Sequence, residues 1–202
     1  MALEARGEWD AAEAVYDGIL AKAPSHEGAR KRKIAILRSR GKTAAAASAL
    51  VEYLDTFQAD ADAWLELADV YTSLGMYRQA AFCWQELVAA APGAGPWHCA
   101  YAQVLATIGD ADALRLAQKH YAAAVELSDG RDARALFGAV AAAGALQRAQ
   151  PPAKKGEAVV APSTSDELAS LAAQRLEQLY AARAPDKAPL AAAALAALRP
   201  GK

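Results

Sequence analysis

The stretch that decides the fold is residues 63–87, which read AWLELADVYTSLGMYRQAAFCWQEL. Its first half places apolar residues at positions i, i+3, i+4 and i+7, a spacing that indicates a helix with one buried face. These residues are Trp64, Leu67, Ala68 and Tyr71. Gly75 follows, and glycine suits the left-handed conformation in which many helices end. The stretch therefore predicts two helices joined by a tight turn.

The same pattern recurs every 34 residues. Glycine keeps this interval at Gly7, Gly41, Gly75 and Gly109, alanine at Ala12, Ala46 and Ala80, and a large apolar residue at Tyr16, Leu50 and Trp84. Small alanines let the two helices of a pair cross closely, and the large residue fills the adjoining gap. A 34-residue period is the length of a tetratricopeptide repeat, a helix–turn–helix unit that stacks on its neighbours. The sequence predicts an all-α fold, a tetratricopeptide-repeat α-solenoid of stacked antiparallel helix pairs.

The solenoid is predicted to cover residues 1–147. Its first repeat is truncated, because Met1 falls within what should be the first helix of the pair. In the fourth pair the recurring residues lie three positions later than the 34-residue interval requires, which predicts a small insertion in the turn at residues 110–113.

Three further parts are predicted after the solenoid. Residues 148–165 are rich in proline and lysine and predict a flexible linker. Residues 166–184 predict a C-terminal amphipathic helix that caps the open end of the solenoid, with binding of a partner helix as the alternative. Residues 185–202 form an alanine- and proline-rich tail, in which 190–198 is expected to be a frayed helix or disordered.

Bulk composition predicts a soluble cytosolic protein. The net charge of −1 and the isoelectric point near 6.3 argue against nucleic acid as a partner. No apolar run approaches the roughly 20 residues that span a bilayer, and the start does not have the order of a signal peptide. Two cysteines do not make a disulfide framework.

No catalytic, cofactor-binding or metal site is predicted. The three histidines, at 26, 98 and 120, are far apart in sequence and have no ligand neighbours at metal-binding spacing. Cys83 and Cys99 are interpreted as packing thiols, and the glycines occur singly, without a phosphate loop. The sequence therefore predicts a protein that is not an enzyme.

Charge patterning suggests a surface that binds protein. The run at residues 30–33 is entirely basic, and the first helix of the next pair carries three acids on one face. First helices line the concave side of such solenoids, so a basic and an acidic band are expected side by side. They would either neutralise each other, which is worth little per pair, or select a segment of complementary charge. The residues of this hypothetical partner-binding groove are Lys31, Arg32, Arg38, Asp62, Glu66 and Asp69.

Several strings go beyond the repeat pattern. They are ARKRKIAI at 29–36, EYL at 52–54, AWLELA at 63–68, YRQAAFC at 77–83 and RALFG at 134–138. Over about residues 3–145 they closely resemble the family of subunit 2 of the ER membrane protein complex. The repeat consensus demands neither AAFC nor RALFG, which makes the resemblance specific.

The resemblance implies a non-catalytic scaffold, cytoplasmic and peripheral on the cytosolic face of the endoplasmic reticulum membrane. Its partners would be the other subunits of a membrane complex, namely cytosolic segments of membrane subunits and a second soluble subunit. That complex inserts tail-anchored and multi-pass membrane proteins. The chain departs from the family in having less helical sequence before the point where Met1 falls.

Two other functions remain open at the level of sequence. A tetratricopeptide-repeat co-chaperone adaptor would grip the C-terminal peptide of a chaperone, and Lys31 and Arg32 could serve it. However, Asp62 and Asp69 would repel an anionic peptide. A regulatory subunit of an enzyme is the second. An RNA-binding helical repeat would need a more basic surface.

Overall fold

The computed structural model of the protein describes residues 2–149 and 164–198. In these ranges the chain forms α-helices and one short 3-10 turn, without a β-strand. It divides into two compact units, Met1–Cys83 and Trp84–Lys202. The predicted fold class, an all-α tetratricopeptide-repeat solenoid, is confirmed.

The first unit contains five helices and the first half of a sixth. They are α1 (Ala2–Ala5), α2 (Trp9–Lys22), α3 (Glu27–Ser39), α4 (Thr43–Leu54), α5 (Ala61–Ser73) and α6 (Tyr77–Ala90). Helix α2 packs on α3, α3 on α4 and α4 on α5. Each helix therefore buries its apolar stripe against its neighbours in the chain, as stacked repeats do.

The repeated glycine closes the first helix of each pair, as predicted. The φ angles of Gly7, Gly41, Gly75 and Gly109 are 76°, 70°, 71° and 77°, in the left-handed region. Beside the second of these glycines, the N–H of Lys42 donates to the carbonyl of Leu37 at 2.9 Å. Beside the third, the N–H of Met76 donates to the carbonyl of Tyr71 at 2.8 Å. These bonds satisfy carbonyls that the helix end would otherwise leave open.

The recurring alanines are buried, as the repeat predicts, whereas the recurring large residues are buried less completely. The recurrent alanines Ala12, Ala46 and Ala80 are buried. Among the large residues Leu50 is buried, whereas Tyr16 and Trp84 are half-buried. On the predicted buried face of α5, Trp64 is also only half-buried. Its Nε1 donates to the carbonyl of Gln58 at 2.8 Å, which holds the indole at the edge of the core.

The second unit contains the remaining helices. They are α7 (Gly95–Ile108), α8 (Ala111–Leu127), α9 (Ala133–Ala149), α10 (Thr164–Arg183), a 3-10 turn (Pro185–Lys187) and α11 (Ala188–Leu198). The prediction of an insertion in the α7–α8 turn is wrong. Helix α8 starts two residues after Gly109, and it has 17 residues against 14 in α6. The Oδ1 of Asp110 accepts the N–H of Ala113 at 2.8 Å and so caps the first turn of α8. The added residues therefore belong to the helix and not to the turn before it.

Helix α10 packs on α9 and covers part of its surface, with Ala172, Ala173 and Leu176 buried. Residues 150–163 of the predicted linker lie outside the described residues, and its two ends belong to α9 and α10. Residues 190–198, expected to be frayed or disordered, instead belong to α11, which packs on α9 and α10. The remaining domain boundaries stay predictions.

Candidate protein-binding surface

Two of the six predicted groove residues meet directly. The Nη1 of Arg38 on α3 donates to Oε1 of Glu66 on α5 at 2.8 Å. Their side chains are 45% and 30% exposed, so the pair stabilises the fold by less than about 1 kcal/mol. The two charges of this pair therefore neutralise each other at the surface of the protein.

Lys31 belongs to a partly buried cluster that sequence reasoning missed. Its Nζ lies 2.5 Å from Oδ2 of Asp60, and the hydroxyl of Tyr53 donates to the same oxygen at 2.6 Å. The other carboxylate oxygen accepts the N–H of Ala63 at 3.2 Å, which caps α5. Tyr53 is only 1% exposed. Burial, and then the bond to Asp60, raise the pKa of the Tyr53 phenol above its ordinary value. The cluster therefore ties α3, α4 and α5 together.

Arg32 points to the start of the chain, away from the acids of α5. Its Nε donates to Oε1 of Glu4 at 3.0 Å, and the hydroxyl of Tyr16 donates to the same oxygen at 2.6 Å. The Glu4 side chain is only 8% exposed. Arg32 thus holds the short helix α1 against α2 and α3.

Asp62 and Asp69 are exposed on the face of α5 that also carries Glu66. The predicted basic band and the predicted acidic band are therefore not neutralised to the same extent. Lys31, Arg32 and Arg38 are bound by acids of the protein itself, while the outer face of α5 keeps its negative charge. A partner at this surface would meet an acidic helix beside already paired bases.

A cavity of about 360 Å³ lies between α2, α3 and α4. Apolar and charged side chains line it, among them Leu20, Ile34, Leu37, Ala49, Lys33 and Glu52. Such a shape can hold an apolar side chain of a peptide. Sequence reasoning missed this cavity because its lining comes from three helices.

The second unit brings together His98 and His120, which stand 22 residues apart in sequence. Their Nδ1 atoms are 2.9 Å apart, and the Nε2 of His98 lies 3.0 Å from the carbonyl oxygen of Pro92. A carbonyl can only accept, so His98 carries its hydrogen on Nε2 and its Nδ1 accepts from His120. The ring of Tyr101 packs beside His120, with centroids 4.5 Å apart. This pair links α7 and α8 to the turn before them.

Because of this histidine pair, we expect the protein to be less stable in acid. The pKa of His120 is lowered to about 4, first by burial and then by His98 and Lys119. Its folded pKa lies below the unfolded value of about 6.5, so the folded state binds fewer protons. Stability should fall by about 2 kcal/mol as the pH falls from about 6.5 to about 4, with allowance for partial exposure. Urea unfolding across this range should show the slope, and His120→Gln should flatten it. An equal slope in the variant would contradict the assignment.

In the part of the chain that the structure describes, no group of three or more His, Cys, Asp and Glu side chains could hold a metal ion. The side chains of Cys83 and Cys99 are buried. None of the helices in the described ranges combines the length and apolar character that a membrane-spanning segment needs.

Helix hairpins closed by a left-handed glycine every 34 residues define a tetratricopeptide-repeat protein. The sequence model of the family described as the EMC2 TPR-like repeat domain matches residues 1–126. The chain therefore belongs to this family.

Individual relatives are similar to part of the chain. ER membrane protein complex subunit 2 of Xenopus tropicalis is 40% identical over 135 residues, which cover 67% of this chain and 45% of the relative. The TPR repeat protein oca3 of Schizosaccharomyces pombe is 42% identical over 92 residues, 46% of this chain and 33% of the relative. The chain thus spans less than half the length of either relative.

Solved structures show the fold alone. The crystal structure of MamA protein has a TM-score of 0.61 at 14% identity and covers 90% of both chains. A tetratricopeptide repeat protein from Parabacteroides merdae has a TM-score of 0.60 at 14% identity, over 99% of this chain and 77% of that one.

Proposed function

We propose that the chain is a non-catalytic scaffold subunit of the ER membrane protein complex, peripheral on the cytosolic face of the endoplasmic reticulum membrane. It would gather cytosolic segments of membrane subunits and a second soluble subunit. The complex would insert tail-anchored and multi-pass membrane proteins. The observation that carries the proposal is the family match over residues 1–126, which contains the whole candidate surface.

Surface charge supports protein binding through α5. Asp62 and Asp69 are exposed, and the pair between Arg38 and Glu66 is exposed enough to be exchanged for contacts with a partner. Charges arranged in this way act mainly on partner choice and on the rate of association.

The contacts of Lys31 and Arg32 weigh against the co-chaperone adaptor. Both side chains are bound to partly buried carboxylates, Asp60 and Glu4. Gripping the C-terminal carboxylate of a chaperone would break these contacts and leave the protein's own acids without their positively charged partners.

Affinity capture of the tagged chain from detergent-solubilised membranes tests the proposal. We expect near-stoichiometric recovery of several multi-pass membrane proteins with one small soluble subunit. The double variant Asp62→Lys and Asp69→Lys should lower this recovery about tenfold, because it places like charge where a complementary segment binds. Lys31 is left intact because its replacement would disturb the Asp60 cluster.

A matched control is the double variant Glu126→Lys and Glu177→Lys, which changes the same charge at exposed positions of the second unit. It should retain capture. Recovery of cytosolic heat-shock chaperones alone would overturn the proposal. Equal losses in both double variants would place the binding surface elsewhere.

A further inference from the structure

Arg30 differs from the other bases of the run at residues 30–33. The other three each bind a carboxylate of the protein, in the pairs Lys31–Asp60, Arg32–Glu4 and Lys33–Asp17. The Nε of Arg30 instead donates to the carbonyl of Pro24 at 2.9 Å. Within residues 2–149 and 164–198, no carboxylate lies at ion-pair distance from its guanidinium. The positive charge of Arg30 is therefore available to a partner.

The contact with Pro24 fixes this guanidinium at the cavity between α2, α3 and α4, which both residues line. Helix α3 is itself held at its start, because the Nδ1 of His26 accepts the N–H of Ala29 at 3.1 Å. Since the Nε of Arg30 is occupied, its two terminal nitrogens remain. They can donate together to the two oxygens of one carboxylate.

Beside the guanidinium, apolar side chains of three helices line the cavity. Leu20 comes from α2, Ile34 and Leu37 come from α3, and half-buried Ala49 comes from α4. The volume of about 360 Å³ is near the lower end of the range of ligand cavities, about 300–1,000 Å³. The cavity therefore suits one large apolar side chain.

Glu52 places an opposite charge on the α4 side of the cavity. It is exposed and has no ionic partner among the described residues. The third charged residue of the lining, Lys33, is neutralised by Asp17 at 2.5 Å. Because Arg30 and Glu52 line the same cavity without pairing, their charges are held apart. An occupant must therefore carry its acid on the α3 side, where Arg30 lies.

We propose that this cavity is a docking pocket for a segment of another protein in which an acidic residue adjoins a large apolar residue. The apolar side chain would fill the cavity, and the acid would accept the terminal N–H groups of Arg30. Charge complementarity selects this occupant, because a segment without an acid would cover the guanidinium and leave it unpaired. The lining comes from α2, α3, α4 and the turn between α2 and α3. The pocket is thus a second surface, different from the acidic face of α5.

Peptide titration of the full chain, followed by two-dimensional NMR, tests the pocket without any other subunit. The probes are acetylated and amidated tetrapeptides with phenylalanine at the third position and glutamate, glutamine or lysine before it. The glutamate peptide should shift the amide signals of Ile34, Leu37 and Ala49. It should bind about fivefold more tightly than the glutamine peptide, the upper range for an accessible ion pair.

Two variants separate the parts of the pocket. Arg30→Gln should remove the preference for glutamate over glutamine and leave binding of the glutamine peptide unchanged. Ala49→Leu should weaken all the peptides at least about tenfold, because the larger side chain occupies the place of the anchor. Ala49 is half-buried, and circular dichroism should show unchanged helicity in both variants.

Lys33→Gln is the matched control, since it removes the same charge from the same helix and cavity, but from a side chain that already binds Asp17. It should keep the preference for glutamate. Four results would overturn the pocket: no peptide binding, equal or tighter binding of the lysine peptide, equal loss of preference in Lys33→Gln, or displacement of the peptide by an equal concentration of decanoate. The last would assign the cavity to a fatty acid. None of them bears on the scaffold proposal, which the capture experiment with the α5 variants tests.

Discussion

Replacing Asp60 with alanine is expected to lower the free energy of unfolding by about 2–4 kcal/mol. The carboxylate caps α5 through the N–H of Ala63, a contribution of about 1 kcal/mol. Its loss also leaves the Tyr53 hydroxyl without its acceptor at a position that is 1% exposed, which costs about 1–3 kcal/mol more. The contact with half-exposed Lys31 adds little. Urea unfolding followed by circular dichroism measures the change.

The same carboxylate makes a pH-dependent contribution. Burial acts to raise the pKa of Asp60, but the bonds from Lys31, Tyr53 and the N–H of Ala63 outweigh it and lower the pKa. Because the folded pKa lies below the unfolded value of about 4, the stabilisation is complete above that pH and is lost below it. This loss occurs in more acidic solution than the onset of the loss caused by His120, so the two can be separated.

A double-mutant cycle with Tyr53→Phe checks the physical reason. In the Tyr53→Phe background no hydroxyl is orphaned, so Asp60→Ala should cost only about 1 kcal/mol, the value of the cap. If the two single costs simply added, the hydroxyl–carboxylate bond would not be the dominant contribution.

The repeat could be predicted from the sequence because its causes are local. A left-handed glycine that ends a helix needs only its neighbours along the chain, and all four glycines of the 34-residue series adopt that conformation. The insertion before α8 is a wrong prediction because a three-residue delay in the pattern fits extra residues in the turn and an extra turn of helix equally well, and Asp110 suits both a loop and a helix cap. The structure uses it as a cap.

The candidate surface could be predicted only in part, because its pairings join residues distant in sequence. Helical spacing placed the acids of α5 on one face, and Arg38 meets Glu66 as a neighbouring band would. It could not show that Lys31 would reach the cap of α5, or that Arg32 would turn to α1. Long basic side chains have several acids within reach, and the choice among them depends on packing that no spacing rule contains.

Gly138→Ala is expected to destabilise the second unit although alanine is the better helix former. A Cβ at this position of α9 would lie 2.2 Å from Cε1 and 2.3 Å from Cζ of Tyr121 on α8. Tyr121 is 3% exposed, so its ring has no open space to enter and the two helices must separate. Overpacking of this kind costs about 1–3 kcal/mol or more, which exceeds the gain of at most about 1 kcal/mol from helix propensity.

Gly18→Ala is the matched control, because Gly18 also lies inside a helix, α2, and a Cβ there would meet nothing within 4 Å. The higher helix propensity of alanine is then the only effect, and it should raise the free energy of unfolding by about 0.5–1 kcal/mol. Thermal unfolding of both variants should therefore shift in opposite directions. Because RALFG ends at Gly138, this contact also gives a physical reason for the glycine in that string. A stabilised Gly138→Ala variant would mean that α8 and α9 do not pack as closely as the Tyr121 contact requires.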